Sequence, residues 1–176
     1  MSRIIGNKNA FAVEYALDEN DLGPELYGQS CFWIKGKRVG NYEVVTRLSD
    51  IMISTVWMIH DNSNRHGEFL CPMSVEEIFS RLDQNLYGYG YPDLSEDEII
   101  VPDTPARFDV TIHSRSFDSW KFFLVECENA ATLIYKNLKD KLPVSVHLKK
   151  GEFDEVIRKF HEELENLENH ELQKKN

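Results

Sequence analysis

The residues of this 176-residue chain with the most chemical capacity are two histidines and a carboxylate near the C-terminal half. His113 and Asp109 fall on the polar side of an alternating segment, and His147 does so on another. Two imidazoles and a carboxylate on one wet sheet face would form an acid–base cluster, although ordinary polar residues are the commoner content of such a face. His66-Gly-Glu68 followed by Cys71-Pro72 has the residue types of a zinc deaminase, but the order is Cys-Pro with no second cysteine nearby. Cys71 could pair with a histidine as a nucleophile; nothing marks it as activated, so it reads as a structural thiol. His161-Glu-Glu-Leu-Glu lacks the second histidine of a zinc-binding helix, which leaves His161 as a surface residue. Gly88-Tyr-Gly90 lacks the third glycine and following helix of a phosphate-binding loop. The chain therefore reads as a non-enzyme with no metal or cofactor.

A different capacity lies between Pro92 and Pro105. Asp93, Glu96, Asp97, Glu98 and Asp103 occur there without a lysine or arginine. Glycines and prolines mark the run as an exposed loop, preceded by the aromatic cluster Tyr87, Tyr89 and Tyr91. A solvated loop is the commoner reading; a contact surface for a basic partner is the functional one.

Periodicity supplies the elements that position these groups. Phe11, Val13, Tyr15 and Leu17 alternate as a half-buried strand. Cys31-Phe-Trp-Ile34, a Lys35-Gly36-Lys37 turn and Arg38-Val39 read as a hairpin. Leu48–His60 is apolar almost all round; length favours a helix capped by Ser49-Asp50, with Met52, Val56 and Ile59 as its stripe and Ile51, Thr55 and Met58 beside it, over a buried strand. Ser74-Val-Glu-Glu77 is a capping box, opening a helix that stops at Tyr87-Gly88. From Arg107 the pattern predicts an antiparallel meander: Phe108, Val110 and Ile112 on one face, Trp120–Cys127 as the central strand, then Ala131–Tyr135 and Val144–Leu148. One sheet face should be covered and the other partly wet. Gly151–Asn169 is a helix with the stripe Phe153, Val156, Ile157, Phe160, Leu164 and Leu167, after which the tail should fray. The expected fold is α+β: an antiparallel sheet, formed by the N-terminal strand and hairpin with the C-terminal meander, packed with about three helices as a single domain over residues 1–176.

Net charge is −10. That disfavours nucleic-acid phosphate and anionic membranes as partners and favours a basic protein. The three cysteines, Cys31, Cys71 and Cys127, are odd in number and widely spaced, which suggests reduced thiols in a cytoplasmic protein. Cys31 and Cys127 lie in strand patterns and read as small buried hydrophobes.

Ile4-Ile5-Gly6-Asn7-Lys8-Asn9-Ala10-Phe11-Ala12-Val13-Glu14-Tyr15, Cys31–Gly40, Leu48-Ser-Asp-Ile51 and Lys149–Ile157 together resemble the bacterial immunity protein 42 family. The resemblance implies an immunity protein of a polymorphic toxin or contact-dependent inhibition system. Such a protein binds a cognate toxin C-terminal domain in the cytosol and blocks it stoichiometrically. A basic nuclease toxin would suit the acidic charge, with Asp93, Glu96, Asp97, Glu98 and Asp103 as first candidates for contact. A small enzyme using the His113/His147 face and an adaptor using the acidic helix 152–171 are the alternatives.

Overall fold

Alternation at the N-terminus builds a first antiparallel sheet. Its order is β1 (Arg3–Gly6), β2 (Phe11–Leu17), β3 (Tyr27–Ile34) and β4 (Lys37–Val39), with the short β5 (Thr46–Arg47) also pairing with β3. The structure, a computed structural model, describes residues 2–18, 25–88 and 105–174. The register Phe11↔Ile34 and Val13↔Phe32 puts those four side chains and Tyr15 on one face, and Ala12, Glu14, Cys31 and Trp33 on the other. Lys35 and Gly36 form the hairpin turn with φ of 49° and 77°, the paired positive values of a turn that matches strand twist. Gly28 is required by close packing: a Cβ there would lie 2.2 Å from the Ala16 carbonyl oxygen across the pair.

The C-terminal meander is a sheet of its own, not a continuation of the first. Its order is β6 (Trp120–Cys127), β7 (Ala130–Asn137) and β8 (Val144–Lys149), so β7 is central where β6 was expected. The predicted strand before β6 does not form. Pro105–Phe108 is a 3-10 turn, and only an isolated bridge links Asp109 to Phe123. Thr111 explains the lost pairing. Its hydroxyl donates to the Phe122 carbonyl at 3.3 Å and accepts from the Phe122 amide at 3.0 Å, standing in for backbone.

α1 (Leu48–His60) has its expected bounds but not its expected cap, and its buried side is centred on the residues expected beside the stripe. Arg47 is the N-cap and makes no side-chain cap bond. Leu48, Ser49, Ile51, Thr55 and Met58 are buried, Met52 and Ile59 partly so, and Val56 is exposed. α2 (Val75–Tyr87) starts on the predicted capping box, with Ser74 and Glu77 each bonding the other's backbone amide. α3 (Glu152–Lys174) buries the predicted stripe, Leu167 only in part, and stays helical to Lys174, beyond the expected frayed end.

The larger core joins the inner face of the first sheet to α1, α3 and one face of the second sheet. Phe11 packs on Phe153 at 4.8 Å and Phe32 on Phe122 at 5.3 Å between ring centroids. The opposite face of β6 and β7, with Phe123, Val125 and Ile134, packs on α2 through Ile78, Phe79 and Leu82. The expected wet face is thus covered at β6, which is why that strand reads as a nearly continuous apolar run.

Candidate functional site

The acid–base cluster read from the sequence is not assembled. Asp109 accepts from the Tyr87 hydroxyl and, at 2.9 Å, from the Thr111 amide. Burial is the largest influence on Tyr87, and it and the Asp109 carboxylate together hold the phenol protonated. His147 pairs across the sheet with Thr132 at 3.2 Å. His113 lies in the segment between the 3-10 turn and β6, its backbone amide donating to the Ser54 hydroxyl at 3.3 Å, and it lines a hollow of about 500 Å³ with Arg47, Asp50, Arg115 and Asp118. A second hollow, about 400 Å³, holds Asp83, Tyr87, Lys121, Lys136 and Lys141. Lys121 is held there by Asp83 and lies 4.2 Å over the Tyr87 ring.

The cysteine reading needs correction. Cys71 and Cys127 form a disulfide, with a Cα–Cα distance of 5.9 Å, and Cys127 is only half-buried. Sequence distance concealed their proximity. The Gly67 amide donates to the Glu126 carbonyl and the Glu126 amide to the Arg65 carbonyl, which lays the segment ahead of Cys71 along the end of β6. Cys31 is free and buried as expected, and burial, offset in part by Arg38, pushes its thiol up to about 12. His161 is half-buried and not simply a surface residue: its Nδ1 meets the buried Thr55 hydroxyl at 2.9 Å, joining α3 to α1. His66 and Glu68 are exposed and 3.2 Å apart. No group of three or more His, Cys, Asp or Glu among the described residues is arranged to hold a metal ion. The acidic candidates Asp93, Glu96, Asp97, Glu98 and Asp103 lie outside the described residues.

Three features went unread in the sequence. Arg65 is fully buried, with its guanidinium 2.5 Å from Asp154 and a second nitrogen donating to the Met58 carbonyl. Glu126 is 1% exposed nearby, with Lys150 at 3.5 Å. Burial raises the Asp154 carboxyl; Arg65 opposes this and Glu126 adds to it. These groups lock the segment between α1 and α2 to β6 and α3. Nothing in a lone arginine between Asn64 and His66 signals such burial.

The second feature covers the outer face of the first sheet, on which no helix packs among the described residues. Glu14 accepts from the Trp33 indole at 2.6 Å and from Lys8 at 3.4 Å. Lys8 and Arg38 lie 4.0 and 5.2 Å over the Trp33 ring, and Arg38 also lies 4.7 Å over Tyr42. The cluster seals Ala12 and Cys31 from water.

The third is the outward side of α1. Ile53 is 63%, Trp57 66% and Val56 48% exposed, at helical spacing on one surface. Burying side chains of this size is worth about 1.5–3 kcal/mol each, so their exposure is a contiguous loss that folding does not require. Thr55–His161 and Ser49–Glu168 contacts set α3 antiparallel beside α1. Between Phe160 and Gln173, α3 carries Glu162, Glu163, Glu165, Glu168 and Glu171 and no lysine or arginine. The signal was present in the sequence: a helix apolar all round has an apolar side left over when only one side is buried.

The family model described as immunity protein 42 matches residues 1–163. In structure, the chain is similar to the crystal structure of CdiI from Burkholderia dolosa AUO158, with a TM-score of 0.66 at 21% identity, over 90% of this chain and 97% of that one. At that identity the likeness concerns the fold. A comparison with curated proteins finds no match.

Proposed function

The chain belongs to the immunity protein 42 family, and from that premise we propose that it binds a cognate toxin domain in the cytoplasm and neutralises it as a stoichiometric inhibitor, without turnover. The observation that carries this reading is the family match across residues 1–163. The surface is consistent with it. Among the described residues the Asp109 and His147 side chains are turned to separate structural partners, while an exposed apolar stripe and a strongly acidic helix offer area to a protein.

Residues 1–176 act in this proposal as one immunity domain. The toxin is a basic nuclease domain, because a phosphate-binding cleft presents the positive field that a chain of net charge −10 would meet fastest. Asp93, Glu96, Asp97, Glu98 and Asp103 are proposed contacts on the same electrostatic ground. The test is co-expression with the reading frame immediately upstream. Its C-terminal domain should kill cells alone, spare them when this chain is present, and co-purify with it one to one. A harmless neighbour that forms no complex would remove the proposal for that pair.

A further inference from the structure

We propose that the outward face of α1, centred on Trp57 with Ile53 and Val56, is the apolar centre of the toxin interface, and that it takes a basic-rimmed apolar recess on the toxin. This rests on the immunity reading above and names the surface that reading leaves open.

The three side chains sit at i, i+3 and i+4 with their side chains largely in water. An interface centre is typically an aromatic anchor surrounded by smaller apolar groups, and tryptophan is the most enriched anchor. Trp57 has that form, with the exposed His60 ring edge-on to it at 6.4 Å. Acids stand on both margins, with Arg47 and Arg115 beside Asp50 in the adjoining hollow. Asp50 and Asp61 belong to α1, and Glu165 projects from the neighbouring α3 between the two residues, His161 and Glu168, that touch α1. Asp50 shares Arg47 with Glu25, and Asp61 lies 3.3 Å from the His60 ring, so those charges are partly answered. Glu165 is exposed and has no ion pair among the described residues. An apolar centre with acidic margins is complementary to a recess edged by lysine or arginine. The same margins argue against a second copy of this chain, since an isologous contact would set like charges face to face.

Binding of the cognate domain from the co-expression test is measured with the unsubstituted chain, Trp57→Ala, Ile53→Glu and Glu165→Lys. Trp57→Ala should weaken binding at least about 30-fold, mainly by faster dissociation. Glu165→Lys should slow association and flatten its dependence on salt. Thermal unfolding of each variant should stay near that of the parent, because these positions face solvent. Hydroxyl-radical footprinting of the unsubstituted complex gives a second readout that needs no variant: oxidation of Trp57 should fall several-fold while that of Trp33 stays constant. Full-strength binding by Trp57→Ala and Ile53→Glu, or unchanged oxidation of Trp57, would overturn the α1 interface and leave the immunity reading standing. A dimer of the chain alone that Trp57→Ala disperses would overturn it in favour of self-association. Failure of the unsubstituted chain to bind or protect removes the immunity reading for that pair and this inference with it.

Discussion

Arg65 and Asp154 illustrate how single residues hold this fold while staying silent in the sequence. A buried ion pair is weak evidence of net stability, since two charges lose their water. Removing one partner is different, because the other charge is then stranded. Arg65→Met should destabilise the protein by about 3–5 kcal/mol. Arg65→Met with Asp154→Leu should recover more than half of that loss. Chemical denaturation of the three proteins measures both, and a double variant no better than the single would show that Asp154 is not the stranded charge. Glu14 makes a pH-dependent contribution. Burial pushes its carboxyl up, but the Trp33 and Lys8 bonds outweigh that and leave it below its ordinary value of 4.5. A carboxyl lowered in the folded state contributes stability that is complete above the unfolded value and lost as pH falls through the folded one. Glu14→Gln should therefore lose stability at neutral pH and show a shallower decline below about pH 4.5; parallel acid-unfolding curves for the two proteins would contradict this.

At the scale of elements, legibility followed how one-sided each segment is. α3 and α2 have a single apolar stripe, and the capping box at Ser74 fixed the start of α2, so both were read correctly. β2 and the Lys35-Gly36 turn were legible from alternation and from the conformational freedom of glycine. α1 was found, but its buried side runs through Ile51, Thr55 and Met58, expected beside the stripe, and leaves Val56 out, because its apolar residues surround the axis and periodicity has no side to choose. β1 has four residues with one buried, too few to alternate visibly. The segment at Val110–Ile112 alternates as a strand should, yet Thr111 satisfies Phe122 through its side chain, and pattern alone carries no information about that. The disulfide was illegible for a related reason: 56 residues separate its cysteines, and only the docking of the Arg65–Gly67 backbone onto β6 brings them together. Closing a loop of that length restricts the unfolded chain, so reduction, or Cys71→Ser with Cys127→Ser, should lower stability by about 2–4 kcal/mol. Coincident thermal unfolding curves with and without reductant would show that the bond is not formed in solution. In a reducing cytoplasm the chain would work without this staple, with the Arg65–Gly67 backbone bonds to Glu126 and the Arg65–Asp154 pair still tying the segment down.

Charge is distributed unevenly over the whole molecule, and this bears most directly on how a partner arrives. α3 carries eight acids against three basic residues, whereas the β3–β4 hairpin carries Lys35, Lys37 and Arg38 exposed at its tip. A basic toxin approaching a chain of net charge −10 would be steered by the long-range field and oriented by this polarity, with the α3 side leading. The apolar stripe on α1 lies beside the acidic end of α3 and, in the proposed interface, would act only at contact. The two terms separate kinetically. Screening shortens the reach of the field from about 30 Å at 0.01 M salt to about 3 Å at 1 M, and barely affects a desolvated apolar contact. Raising salt across that range should therefore slow association with the toxin by more than about tenfold, while the dissociation rate changes little. Stopped-flow mixing resolves the two rates. An association rate insensitive to salt would show that the acidic charge of this chain serves solubility alone, and would shift the weight of recognition to shape and apolar packing at α1.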